Sequence, residues 1–194
     1  DVYKRQALFG LELTAQYGLS LQVLSTLAAV CLAPVAASLP RMSELRMSQK
    51  LGELVRVFTQ NLYWGVLAIF ILGACIVVFG NVVLSLLGSN TSLLPVPALI
   101  LLLFVQALQG HEKSWCSLVL TENENPFVLP ACLSGLFTIC FSWILGSQFG
   151  LWGLLWAQLL IPMMFSNWWA VWRGYHGLGI SFQDFFELAV RQKA

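Results

Sequence analysis

The sequence predicts an all-α membrane protein, a bundle of about five transmembrane helices that makes up most of one lobe of a larger protein. Three observations carry this. Of the 194 residues, 58% are hydrophobic and only 10% charged, where a soluble domain carries about a quarter charged residues. Five segments are long and apolar enough to cross about 30 Å of hydrocarbon at about 1.5 Å per residue. The basic residues gather on one side of those segments. A net charge of +1 leaves no basic surface that calls for nucleic acid.

The spans run over Tyr17–Leu39, Val57–Phe79, Val96–Leu120, Phe127–Gly146 and Leu151–Trp172. Pro40-Arg41 closes the first and Gly80-Asn81 the second. Gly88-Ser89-Asn90, with Pro95 and Pro97, precedes the third. Asn123–Pro126 separates the third from the fourth, and Phe149-Gly150 separates the fourth from the fifth. Helices are expected because backbone polar groups in lipid must be satisfied within the segment. The alternating ten-residue strands of a barrel are absent. Cys31, Cys75, Cys116, Cys132 and Cys140 lie in apolar runs without metal-ligand spacing and read as packing residues. No metal or cofactor is expected.

Eight of the ten basic residues fall on one side: Arg41, Arg46, Lys50 and Arg56, then Lys113, then Arg173, Arg191 and Lys193. The positive-inside rule puts that side, with the C-terminus, in the cytoplasm. Trp64, Trp152, Trp168, Trp169, Trp172 and Tyr175 sit near the span ends, as an aromatic belt would. Met42–Arg56 reads as an amphipathic surface helix joining two spans, or as a solvated connector. The tail at 174–194 contains Ser181-Phe182-Gln183-Asp184, the pattern of a capping box. Phe182, Phe185, Phe186 and Ala189 then share a face suited to the membrane surface. Residues 7–16 form an extracytoplasmic lead-in. Asp1-Val2-Tyr3-Lys4-Arg5-Gln6 looks like the translation of a transposase end sequence used in preparing sequencing libraries. We therefore expect the reading frame to begin upstream and the chain to be a C-terminal fragment.

The third span carries the polar chemistry. At about 100° per residue, Gln106, Gln109, Lys113 and Ser117 fall in one stripe, Glu112 borders it, and His111 lies further round. An ionised residue this deep costs about 3 kcal/mol on insertion scales, so the stripe should face other helices or a wet cavity. The alternative is a span that ends near Gly110, with His111-Glu112-Lys113 in water. Arg56, Thr59, Gln60 and Tyr63 form a second stripe at the start of the second span. Ser134, Thr138 and Ser142 recur every four residues on the fourth, a spacing typical of close helix packing. Gln158 and Asn167 flank Pro162, where a kink is expected. The chain has no Walker A loop, no HExxH and no paired-Asp motif for lipid-phosphate transfer, so no residue set asks for an enzyme.

Several stretches in order carry a family resemblance. Tyr17-Gly18-Leu19 opens a span ending in Ser38-Leu39-Pro40-Arg41-Met42-Ser43-Glu44. Leu120-Thr121-Glu122-Asn123 is followed by Asn125-Pro126-Phe127 and Ser134-Gly135, and Phe149-Gly150-Leu151-Trp152-Gly153-Leu154 leads to Ala157-Gln158. Over roughly residues 7–180 this resembles the C-terminal half of polysaccharide biosynthesis exporters, the O-antigen flippase type within the multidrug/oligosaccharidyl-lipid/polysaccharide superfamily. The resemblance implies a two-lobe antiporter of a bacterial inner membrane. Such a protein moves undecaprenyl-pyrophosphate-linked oligosaccharide to the outer leaflet by alternating access. It makes a missing N-terminal lobe, membrane lipid and the lipid-linked oligosaccharide the expected partners. Within that reading Lys113, Arg41 and Arg56 supply positive charge at the inward mouth. Gln106, Gln109 and Gln158, with Gln60 nearby, face the passage, and Glu112 or His111 is the coupling candidate. The other readings are a multidrug exporter of the same superfamily and a membrane polymerase or ligase. The last expects a large charged outer loop, which Gly80–Leu94 and Ser147–Gly150 do not provide.

Overall fold

The computed structural model describes residues 2–122, 126–181 and 183–185, with side chains from Gly10 onward. It is 86% helical, without strands among the described residues. The helices are α1 (Val2–Ala37), α2 (Leu39–Met47), α3 (Leu51–Leu86), α4 (Val96–Leu120), α5 (Val128–Phe149), α6 (Leu151–Met164) and α7 (Ser166–His176). Four stretches are long and apolar enough to cross a membrane: Gly10–Met47, Leu51–Leu86, Val128–Phe149 and Leu151–His176. The sequence-based count of about five includes Val96–Leu120, whose bounds are those of α4. With 25 residues α4 has the length, but Gln106, Gln109 and the run from His111 to Ser114 dilute its apolar character.

α4 is the hub. It packs against α1, α3, α6 and α7 and touches α2, whereas α5 rests on α6 and, more lightly, α7. The exposed surface of the bundle is strongly apolar: Val78, Phe79, Leu86, Ile139 and Phe149 are all exposed, and α5 buries only Ser134 and Gly146. The buried set meanwhile includes Ser20, Gln106, Ser114, Ser134, Ser166 and Asn167. Large apolar surface outside with polar groups inside is what a lipid solvent selects. It is compatible with a multi-pass membrane protein.

Two apolar clusters fill the bundle, one at each end. Leu24, Leu99, Leu102 and Leu155 anchor the first, and Met42, Phe58, Trp115 and Leu118 the second. At the first end, segment 87–95 is tied down by side chains that accept its backbone N–H groups. Ser20 Oγ takes Leu94 N–H at 2.9 Å, and Asn81 Oδ1 takes Leu93 N–H at 2.8 Å.

Several boundaries differ from the sequence reading. The expected lead-in is helical, with a break at Gly10 (φ 78°, ψ 162°). Pro40 does not close the first span. It stands in the first turn of α2, where its missing N–H has no intrahelical partner to lose. Met42–Arg56 is not one surface helix, because the turn at Ser48–Lys50, with Gln49 at φ 59°, splits it between α2 and α3. Met42, Leu45, Leu54 and Val55 are buried, so this segment is tucked under the bundle. The second span extends further at both ends than Val57–Phe79. The last breaks into α6 and α7 at Phe165 (φ −112°, ψ −70°), three residues past Pro162. At the tail, the capping box forms: Asp184 Oδ2 accepts Ser181 N–H at 3.2 Å and Ser181 Oγ accepts Asp184 N–H at 3.3 Å. Phe185 is buried against Trp115, with ring centroids 5.3 Å apart, and so faces the bundle. Phe182, Phe186, Ala189, Arg191 and Lys193 lie outside the described residues.

Candidate functional site

The stripe on α4 meets an alanine-rich face of α1. Between them lies a recess of about 200 Å³, lined on α4 by Gln106, Gln109, Lys113 and Ser117 and on α1 mainly by Ser25, Ala28, Ala29, Ala33 and Ala36. Small residues on α1 leave the space that larger side chains would fill. Gly110, on the same side of α4, lets Leu32 approach so closely that an added Cβ would stand 2.4 Å from its Cδ1.

Gln106 is the most telling member of this wall. It is only 5% exposed, and its carboxamide lines the recess; no buried side-chain nitrogen or oxygen among the described residues lacks a hydrogen-bond partner. It stands about 15 Å from the start of α4. Lys113 lies two turns further, about 10 Å along the axis. It is exposed into the recess and makes no ion pair among the described residues, with Glu112 near enough for a charge–charge interaction.

The coupling candidates face elsewhere. His111 lies between α4 and α7, where its Nδ1 is 3.1 Å from Asn167 Oδ1 and its Nε2 accepts the Trp115 indole N–H at 3.0 Å. An acceptor role for Nε2 places the proton on Nδ1, which donates to Asn167. Asn167 in turn donates from Nδ2 to the Leu108 carbonyl of α4 at 3.2 Å. Glu112 lies near Ser166, the residue before Asn167, and the Ser166 Oγ donates to the Pro162 carbonyl at 3.4 Å. The α6–α7 break thus sits directly on the polar run of α4. Pro162 removes one helical donor, and Asn167, two residues beyond the break, bonds across to α4.

The remaining expected residues do not join the recess. Gln158 is paired with Tyr17 across α6 and α1, with contacts at 2.8 and 3.1 Å between its carboxamide and the phenol hydroxyl. Gln60 lines a separate, broader concavity of about 610 Å³ on α3, with Thr59, Tyr63, Trp64 and Phe70. Arg41 and Arg56 are exposed, on α2 and α3. The seven expected passage residues therefore occupy several places, and only Gln106, Gln109 and Lys113 share a wall. Ser134, Thr138 and Ser142 lie on the less exposed side of α5, with Ser134 buried.

Sequence reasoning counted Arg46 and Arg173 only as markers of orientation. Both reach Glu122, with Arg46 Nη2 to Oε1 at 2.7 Å and Arg173 Nη2 to Oε2 at 2.7 Å. Arg46 also donates to Thr121 Oγ1 at 2.6 Å, to the Leu118 carbonyl at 3.4 Å and to the Gly177 carbonyl. A basic residue in a polar connector carries no signal of such a partner, because the partners are 75 or so residues away in sequence. Among the described residues no group of three or more His, Cys, Asp or Glu side chains is placed to hold a metal ion.

Fold and recess together define a helical protein with several membrane-length apolar helices and a polar wall on its central helix. No family model, curated protein or solved structure matches the chain.

Proposed function

We propose that the chain is the C-terminal part of a bacterial inner-membrane flippase for undecaprenyl-pyrophosphate-linked oligosaccharide, with α4 as a fifth span and the C-terminus in the cytoplasm. The observation that carries the reading is the α1–α4 recess, with the Gln106 carboxamide on its wall at mid-depth and Lys113 nearer the basic end. A lipid pyrophosphate and its glycan cross hydrocarbon only where cations and hydrogen-bonding groups stand in for water. In this reading Lys113 attracts the pyrophosphate, Gln109 and Gln106 exchange hydrogen bonds with sugar hydroxyls, and the missing N-terminal lobe supplies the facing wall. Coupling falls to the cluster around the α6–α7 break, where His111 ties α4 to Asn167 and Glu112 lies near Ser166. Helix breaks at mid-membrane are recurrent sites of ion coupling in transporters.

The test replaces Lys113 by Gln in the full-length protein and measures glycan export at matched expression. Export should fall at least tenfold with the protein still in the membrane. Unchanged export removes Lys113 from the passage and, with an equally silent Gln106→Met, removes the recess from the mechanism.

A further inference from the structure

We infer that Glu122 is the bolt of an ionic latch that holds α2 and the end of α7 against the end of α4. One carboxylate serves two arginines, one oxygen each, and these are the two ion pairs among the described residues. They join three elements far apart in sequence: the α2 connector through Arg46, the end of α4 through Glu122, and α7 through Arg173. Arg46 gathers the Thr121 hydroxyl and the Leu118 and Gly177 carbonyls into the same knot. Gly177 is needed there, because a Cβ at that position would stand 1.6 Å from Glu122 Oε1.

Three features make this a latch and not only a brace. First, α2 is nine residues long and is set off from α3 by the left-handed Gln49, so its far end has a hinge. Second, the side chains of Arg46, Glu122 and Arg173 are 15%, 12% and 24% exposed, so water reaches the knot and can take over the charges as it opens. Third, Glu122 keeps one arginine when the other leaves, so neither opening step strands a buried carboxylate. Breaking Arg46 away frees α2 alone, and breaking Arg173 away frees the end of α7 alone. The inference rests on the transport reading only in taking the α2 end as the cytoplasmic one, which makes the latch a closure of the inward mouth.

Hydrogen–deuterium exchange on the full chain in lipid nanodiscs tests it. In Glu122→Gln, peptides covering 39–47 and 174–180 should exchange at least tenfold faster, with α5 and the 60–86 part of α3 unchanged. Arg46→Gln should release 39–47 alone, and Arg173→Gln should release 174–180 alone. Unchanged exchange at 39–47 in Glu122→Gln overturns the latch. Acceleration throughout α3, α4 and α5 also overturns it, since the triad is then a general brace. A failed transport reading would appear instead as full export by Lys113→Gln, with the exchange pattern of the latch intact.

Discussion

Replacing Gln106 by Met should leave the stability of the bundle nearly unchanged and, on the transport reading, weaken export. Met has nearly the shape of Gln and no amide, so the substitution leaves the packing of α4 on α1 in place. Gln106 lines the recess, and no buried side-chain nitrogen or oxygen among the described residues lacks a hydrogen-bond partner, so Met has no unmet desolvation cost to remove. The expected change is therefore within about 0.5 kcal/mol, and a domain of this size shifts its Tm by roughly 2–4 °C per kcal/mol. Gln158 is the internal control. It is paired with the Tyr17 hydroxyl at 2.8 Å, so Gln158→Met should lower stability by about 0.5–1.5 kcal/mol. Thermal unfolding of both variants in the same detergent, beside export by the full-length protein at matched expression, gives the comparison. A fall in Tm for Gln106→Met as large as that for Gln158→Met would show that Gln106 is held by a partner and would refute the reasoning. A stability loss at Gln158 alone, with export lost at Gln106, would support it.

Other substitutions test the packing around the recess and the break. Gly153→Ala places a Cβ 2.0 Å from the Leu145 carbonyl oxygen, a backbone atom that cannot rotate away. It should cost about 1–3 kcal/mol or more, read as a lowered Tm. His111→Leu removes the links to Asn167 and Trp115 and leaves both without their partner. A loss of about 2 kcal/mol is expected, with faster amide exchange at the α6–α7 junction. Ser20→Ala deprives the buried Leu94 N–H of its acceptor and should cost about 1–2 kcal/mol. Protease sensitivity of the 87–95 segment should rise with it.

What could be read from residues alone was whatever follows from periodicity along one helix. The bounds of Val96–Leu120 came from an apolar run between Pro- and Asn-rich breaks, the grouping of Gln106, Gln109, Lys113 and Ser117 came from the helical repeat, and the recess gathers that stripe onto one wall. Which neighbour each face meets is not encoded in that repeat. Gln158 and Gln106 look alike in sequence, yet one meets a tyrosine on α1 and the other lines the α1–α4 recess. Nor does charge counting foresee pairing, so Arg46 served as an orientation marker while its geometry makes it the centre of a knot. The same blindness gave Met42–Arg56 a single helix, since the turn depends on Gln49 adopting a left-handed conformation that glutamine seldom takes.

The α5–α6 hairpin has a consequence for biogenesis. Gly150, at φ 61°, joins the two helices without an intervening loop, and their long mutual face is built entirely from residues close in sequence. Pairs of this kind assemble early because closing them sacrifices little chain freedom. On the membrane reading, the hairpin should therefore enter the bilayer as a ready-made pair and later dock on α4 through α6 and α7, leaving α5 as an outrigger whose exposed positions accept almost any apolar side chain.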